Sequence, residues 1–149
     1  MLKNTLNTVA AIALTLWVGG LLLIGYLVVP VLFHSLPDKQ LAGGLAGEIF
    51  QMFGYVALLC GVLLWWQQRL AGTAAARKNL WLISAMLLLS VIIQFGLSPV
   101  MAALKLQVLP QDVMHSVNAA QFKLLHGVSS LLYLLESGLG VWLLVRRIN

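Results

Sequence analysis

The stretch that decides the fold is residues 8–33, which reads TVAAIALTLWVGGLLLIGYLVVPVLF and contains no charged residue. An α-helix needs about 20 predominantly apolar residues to cross the hydrocarbon core of a bilayer, and this stretch exceeds that length. It is also longer than the apolar region of a cleaved signal peptide, which is typically about 7–15 residues. We therefore interpret residues 8–33 as a retained transmembrane helix.

Three further stretches have the same character, and they lie at residues 49–67, 80–104 and 122–145. Their apolar residues are continuous rather than alternating, which favours helices over membrane-spanning strands. Pro37 with Asp38, and Pro110 with Asp112, precede the second and fourth stretches. Proline and aspartate suit the start of a helix, so these two helices are expected to begin early, each with a short stretch along the membrane surface.

The composition of the chain agrees with a membrane protein. Of its 149 residues, 61% are hydrophobic and 9% are charged, whereas a soluble domain carries about 25% charged residues. The mean hydropathy is +0.97. Four helices leave no room for a separate soluble domain, so the sequence predicts an all-α membrane protein, a single four-transmembrane-helix bundle over residues 1–149. The lone cysteine, Cys60, excludes an intramolecular disulfide framework.

The basic residues predict the orientation, because lysine and arginine are enriched on the cytoplasmic side. The side that carries both termini holds Lys3, Arg69, Arg77, Lys78, Arg146 and Arg147, and the other side holds Lys39, Lys105 and Lys123. The helix ends near the larger group also carry Trp65, Trp66, Trp81 and Trp142. We expect a multi-pass protein of the cell inner membrane with both termini cytoplasmic. The net charge of +5 is then explained by topology, and the expected partner is the lipid bilayer, with no nucleic acid.

Polar residues within the apolar helices are the candidates for function, because they are costly in a bilayer. On the fourth helix a polar stripe recurs at steps of three and four: His126, Ser129, Ser130, Tyr133, Glu136, Ser137 and Gly140. The other helices carry shorter stripes. The third helix has Ser90, Gln94 and Ser98, the second has Glu48, Gln51 and Tyr55, and the first has Thr15, Gly19, Tyr26 and His34. We expect these stripes to pack inward and the aliphatic residues to face lipid.

Helix direction places all three histidines toward the face opposite the termini. The pattern predicts an outward-facing polar pocket that binds a small molecule or ion, lined by His34, Glu48, Gln51, Gln94 and His126. Imidazole and carboxylate suit zinc or copper, and two histidines from facing helices suit a haem iron, which makes His34 and His126 candidate metal ligands. The alternative is that these side chains only hydrogen-bond to one another and hold the helices together.

Glu136 is the acidic residue expected near the middle of a span, since it is about 15 Å from both His126 and Arg146 at 1.5 Å per residue. No basic residue is expected at that depth, and a charge in hydrocarbon is costly. We therefore expect a neutral Glu136 that faces the bundle interior. Its proton would be donated to a backbone carbonyl or to a side chain of another helix, the candidates being Thr15, Gln94 and Cys60. Such an acid suggests a proton relay or ion coupling, and the alternative is a polar clasp between helices.

Enzymatic signatures are lacking, since the sequence contains no G-x-S-x-G, P-loop or G-x-G-x-x-G motif. His126 is close to Ser129 and Ser130, but Glu136 lies too deep to orient that histidine as in a hydrolase. The sequence therefore favours a non-enzymatic protein.

Several blocks carry a resemblance to a known family: LWVGG at residues 16–20, PVLF at 30–33, LP at 36–37, AGEIF at 46–50 and FKLLHGVSSLL at 122–132. They resemble the transmembrane protein 205 family and its bacterial relatives, a four-helix membrane domain of unknown function. The WVGG opening is more distantly similar to CopD-like membrane proteins. The first resemblance implies a four-helix fold without an assigned reaction, and the second implies haem or copper handling.

These observations leave three hypotheses open. The leading one is a binding or transport-related protein with the outward-facing pocket, which would require a homo-oligomer or a partner membrane protein for alternating access. The second is a structural or accessory subunit without a ligand site. The third is a haem- or copper-binding protein of the CopD-like kind.

Overall fold

The computed structural model describes the backbone of residues 2–148 and the side chains of residues 5–146. Lys3 and Arg147, two of the basic residues used to predict the orientation, therefore lie outside the described side chains. The helices of the described chain are α1 (Leu2–Leu23), α2 (Val29–Ser35), α3 (Lys39–Ala71), α4 (Ala74–Val91), α5 (Ser98–Leu106) and α6 (Ala119–Ile148). One π-helical segment joins α1 to α2, and another joins α4 to α5.

Four stretches are long and apolar enough to cross a membrane, which confirms the four-helix membrane fold. We call them spans 1 to 4, and they are Thr5–Ser35, Lys39–Ala71, Ala74–Leu106 and Ala119–Arg146. Each extends beyond the predicted stretch at both ends. The end of the bundle that carries His34, His115 and His126 is called the histidine end, and the opposite end is called the termini end.

The predicted early start of span 2 is confirmed. The Asp38 carboxylate accepts hydrogen bonds from the backbone N–H groups of Gln40 (2.8 Å) and Leu41 (3.1 Å), which caps the helix that begins at Lys39. The helix then continues without a break to Ala71. The expected surface stretch is therefore the first part of the span itself and not a separate element.

The predicted early start of span 4 is wrong. Asp112 does act as a cap, but it accepts from the Met114 N–H (3.0 Å) at the start of a short 3₁₀-helix, Val113–His115. Span 4 begins only at Ala119. The reason is packing, because the buried side chain of Val113 joins a small apolar cluster with Leu104 and Phe122 and so folds the connection back onto the bundle.

At the termini end, spans 2 and 3 are joined by a turn of two residues. Gly72 has φ of 63°, a left-handed conformation that glycine adopts without steric cost, and it ends span 2. The Thr73 hydroxyl accepts from the Ala76 N–H at 3.1 Å and caps span 3. These two residues set the antiparallel packing of spans 2 and 3.

Spans 1 and 3 share an irregularity that the sequence analysis did not anticipate. Each contains a π-helical segment, Ile24–Val28 or Ile92–Leu97, that ends two residues before Pro30 or Pro99. Proline lacks an N–H, and its ring clashes with the carbonyl four residues earlier, so a wider turn accommodates it. The segment in span 3 lines the cavity described below through Ile93 and Gln94.

The main apolar core lies in the half of the bundle toward the termini end. Its most deeply buried members come from all four spans and are at most 2% exposed: Trp17, Val18, Leu64, Ile83, Met86 and Leu143. Glycines permit the close packing here. A side chain on Gly61 would meet the Trp17 ring at 2.7 Å, and one on Gly140 would meet Val18 at 3.0 Å.

Candidate functional site: a buried carboxyl group beside a polar cavity

Glu136 lies on the inner face of span 4 and is 2% exposed, so the prediction that it faces the bundle interior is confirmed. The indole Nε1 of Trp17 on span 1 donates a hydrogen bond to Glu136 Oε1 at 3.2 Å. The hydroxyl of Ser90 on span 3 donates to the same oxygen at 2.6 Å. One carboxyl oxygen therefore joins three of the four spans.

The expected partners of Glu136 are not the observed ones. Thr15 is exposed, and its hydroxyl donates to the Ala11 carbonyl on its own helix at 3.0 Å. The Gln94 amide is hydrogen-bonded to span 2, and Cys60 lies in the apolar core. Trp17 and Ser90 approach Glu136 instead, because the rotation of spans 1 and 3 about their axes points these two residues inward.

The arrangement of donors distinguishes the two oxygens of the carboxyl group. Both donors approach Oε1, which makes this atom the acceptor, as a carbonyl oxygen is in a protonated carboxyl group. A proton carried by Glu136 therefore belongs on Oε2. Among the described side chains, no lysine or arginine forms a salt bridge with Glu136. The group is thus buried without a counter-charge.

A cavity of about 40 Å³ lies beside Glu136, between all four spans. Its polar lining consists of Ser90, Gln94, Ser98, Tyr133 and Glu136, and its apolar lining includes Leu21, Phe50 and Phe53. A water molecule needs at least about 10–15 Å³ of such volume and two to four polar partners. The cavity is therefore large enough for a few waters or one small ion, and far smaller than the about 300–1,000 Å³ of a typical small-molecule pocket.

Gln94 forms the wall of the cavity on span 3. Its side chain is 6% exposed, and its Nε2 donates to the backbone carbonyl of Gln51 on span 2 at 2.9 Å. Gly54 makes this reach possible, since any side chain at that position would overlap the Gln94 amide. The π-helical segment of span 3 contains Gln94, which places the irregular backbone at the cavity.

Tyr133 forms the wall on span 4, toward the histidine end. Its hydroxyl donates to the Leu21 carbonyl of span 1 at 2.6 Å, and Gly25 lies against the same hydroxyl. The ring packs edge-on against Phe50, with 5.2 Å between centroids, and lies 6.3 Å from the Tyr26 ring. Tyr133 thus connects spans 1, 2 and 4 beside the π-helical segment of span 1.

Glu136 and the five residues of the predicted pocket are the candidate ligand-binding residues, and the structure separates them into two groups. Gln94 and Glu136 are buried and line the cavity. The side chains of the other four are exposed and do not line it: His34, Glu48, Gln51 and His126. Only the backbone carbonyl of Gln51 takes part, as the acceptor for Gln94.

Helical geometry explains the position of His126. At about 100° per residue, ten residues turn the helix face by about 80°, so His126 does not share a face with Glu136. The inward stripe is Ser129, Tyr133, Glu136 and Gly140, none of them exposed. The His126 ring stacks parallel to Phe122, with 6.0 Å between centroids.

No metal site is formed among the described residues, where no three His, Cys, Asp or Glu side chains are grouped to hold an ion. The expected approach of His34, Glu48 and His126 to form such a group is therefore not observed. Both histidines are exposed.

The sequence analysis did not assign Trp17 to the site. A signal was present, because the other four tryptophans lie near span ends, whereas Trp17 lies well inside span 1. A tryptophan at that depth needs a hydrogen-bond acceptor for its indole N–H. Ser90 belonged to a recognised polar stripe, but its pairing with Glu136 depends on the helix rotations.

Comparison with protein families gives a match that covers about two thirds of the chain. Residues 12–110 match the family model described as Domain of unknown function (DUF4149). The chain belongs to this family. The DUF4149 match includes most of span 1 and all of spans 2 and 3, so it contains Trp17, Ser90 and Gln94, whereas Tyr133 and Glu136 lie beyond it. No curated protein and no solved structure matches the chain.

Membership of the DUF4149 family agrees with the expectation of a membrane domain of unknown function. The finer resemblances, to the transmembrane protein 205 family and to CopD-like proteins, remain predictions. The FKLLHGVSSLL block at residues 122–132 lies outside the matched range.

Proposed function

We propose that this protein binds a proton or a small cation within the membrane and that Glu136 is the binding carboxyl group. The observation that carries the proposal is a carboxyl group that is 2% exposed, has no basic partner among the described side chains and borders a cavity whose wall includes four further polar side chains. Intramembrane acids of this kind are costly and commonly belong to ion pathways. The proposed role is non-enzymatic and related to ion transport.

The size of the cavity narrows the ligand class. About 40 Å³ holds a few waters, a hydronium ion or one dehydrated alkali cation, and it does not hold an organic molecule. The carboxyl oxygens, the Gln94 amide and the Ser90 and Ser98 hydroxyls supply oxygen ligands, which hard cations prefer. A proton or a small cation is therefore the ligand that fits this site.

The second candidate is a purely structural clasp, in which the bonds of Glu136 to Trp17 and Ser90 hold spans 4, 1 and 3 together. Hydrogen bonds between membrane helices are worth about 0.6–2 kcal/mol, which suffices for that role. The clasp explains the two bonds but gives no reason for the adjacent cavity.

Chemical labelling tests whether Glu136 is protonated and reactive, as the ion-binding proposal requires. A lipid-soluble carbodiimide reacts with protonated carboxyl groups in apolar surroundings, and mass spectrometry locates the adduct. We expect labelling at Glu136 near neutral pH, none at that position in Glu136→Gln, and unchanged labelling in Ser137→Ala, a substitution of the adjacent residue. An unlabelled Glu136 in the folded wild-type protein would reject the proposal.

The same reaction identifies the ligand. Excess sodium or lithium ions lower the labelling at constant pH if a small cation occupies the site. Labelling that is insensitive to these ions assigns the site to the proton alone.

The proposed location is the inner membrane, with both termini cytoplasmic. Arg69 and the exposed tryptophans Trp66, Trp81 and Trp142 lie near the termini end, which supports this orientation. A reporter that is active only in the cytoplasm, fused after Asn149, should be active. Activity of a periplasm-specific reporter at the same position would show that the orientation is the opposite one.

A further inference from the structure

The two ends of the bundle offer Glu136 unequal access. Toward the termini end, the route from Glu136 is filled by Trp17, Val18 and Met86, which are all fully buried. Leu143, two turns further along span 4, is 2% exposed. These side chains belong to one apolar cluster of buried residues.

Toward the histidine end, the inward stripe of span 4 becomes progressively more accessible. Glu136 is buried, and Tyr133 and Ser129, which follow it along this stripe, are half-buried. The cavity extends in the same direction, since Tyr133, Gln94 and Ser98 line it together with Glu136. Polar side chains therefore follow one another from the carboxyl group toward this end of the bundle.

At the histidine end, span 1 packs less closely against span 4 than against span 2. The part of span 1 beyond its π-helical segment, Val29–Ser35, packs on span 2 and makes no comparable contact with span 4. Spans 1 and 4 meet at Tyr133, whose hydroxyl is bonded to Leu21. Tyr133 is therefore the narrowest point between the cavity and the surface at the histidine end.

We propose that Glu136 exchanges its proton or cation with the histidine end of the bundle only, along a path beside Tyr133 between spans 1 and 4. This inference rests on the proposed ion-binding function. Tyr133 is a positioning residue at the neck of the path. Tyr26, whose ring lies beside Tyr133 and is 49% exposed, is the other titratable group at the neck.

The path is tested by thiol accessibility in a Cys60→Ala background, because Cys60 is the sole native cysteine. Single cysteines are placed at Ser98 in the cavity wall, at Ser129 on the path and at Ser137 behind the cavity. The exposed residues Val117 and Ala75 provide reference cysteines at the histidine end and the termini end. The probe is a small, charged, membrane-impermeant methanethiosulfonate added to one side of sealed vesicles.

We expect S98C and S129C to react only from the side that labels V117C. S137C should react from neither side, since Ser137 is 3% exposed and does not line the cavity. Reaction of S98C from the side that labels A75C, or from neither side, would overturn the inference. Labelling of Glu136 by carbodiimide is a separate readout, so the ion-binding proposal can stand when the path fails.

The role of Tyr133 is tested in the S98C protein. Tyr133→Ala removes the ring at the neck and should raise the rate of the S98C reaction several-fold. Tyr133→Phe retains the ring and should leave that rate close to the original. Equal rates in all three proteins would place the path elsewhere. The control is V117C combined with Tyr133→Ala. If this protein reacts with the probe from the same side as V117C alone, the Tyr133→Ala substitution has left the fold intact.

Discussion

The two halves of this bundle use different means to hold the same four spans together. Toward the termini end, the spans are held by interdigitating apolar side chains and glycines, and the buried hydroxyl of Ser137 has no partner among the described residues. Around the cavity, single hydrogen bonds reach from one span to another, and two π-helical segments interrupt the regular backbone. The half toward the termini end is therefore closely packed, whereas the spans around the cavity are also linked by buried polar side chains.

The largest effect is expected from a side chain added in the apolar half. Gly61→Ala places a methyl group 2.5 Å from Leu87 and 2.7 Å from the Trp17 ring, which cannot move within the core. We expect a loss of about 1–3 kcal/mol in the free energy of unfolding, measured by reversible SDS unfolding in micelles. Gly19→Ala is the control, since nothing lies within 4 Å of the added atom. Equal stability of the two variants would contradict a tightly packed half.

Removing the Glu136 carboxyl group is the next largest change. Glu136→Ala leaves the Trp17 N–H and the Ser90 hydroxyl without their acceptor, so we expect a loss of about 1–2 kcal/mol in the same unfolding assay. Ser137→Ala removes a hydroxyl that has no partner and should cost nothing. Glu136→Gln retains an acceptor oxygen and should stay close to the wild type. A Ser137→Ala protein as unstable as Glu136→Ala would show that the observed bonds do not matter.

Removing the Tyr133 hydroxyl should lower the free energy of unfolding by a smaller amount. Tyr133→Phe removes the bond to the Leu21 carbonyl but retains the packing on Phe50, and we expect a loss of about 0.6 kcal/mol. Tyr26→Phe, at a half-exposed neighbouring ring, serves as the matched substitution and should be neutral. A loss above that of Glu136→Ala would assign the main polar contact to Tyr133 instead.

The smallest effect is expected from a side chain added at the cavity. Gly54→Ala overlaps only the flexible end of Gln94, which can rotate into the free volume and give up its bond to Gln51. We expect a loss of no more than about 0.6 kcal/mol in SDS unfolding. A loss as large as that of Gly61→Ala would mean that the two halves are packed alike.

The sequence predicted the spans well, because the length of an apolar helix is set by the bilayer. It also predicted that Glu136 faces inward, since the depth of a residue follows from its position along a helix. The pairing of Glu136 with Trp17 and Ser90 depends on how each helix is rotated about its axis, which polar stripes define only approximately. His126 illustrates this limit, because a stripe that includes every step of three and four spans more than one face.

The π-helical segments lay beyond prediction for a related reason. Pro30 and Pro99 indicate an irregular backbone, but a kink, a break and a π-turn all satisfy the same steric requirement. Which of them forms depends on neighbouring groups, here the Tyr133 hydroxyl beside span 1 and the Gln94 amide that reaches span 2.

The protonation state of Glu136 tests the central claim most directly. The chain has four acidic residues, of which Asp38 and Asp112 act as helix caps and Glu48 is exposed. Infrared spectroscopy of the purified protein near neutral pH should therefore show one carboxylic-acid C=O band. We expect that band to shift in D₂O, to be absent from Glu136→Gln and to remain in Ser137→Ala. A wild-type spectrum without the band, identical to that of Glu136→Gln in this region, would contradict the account.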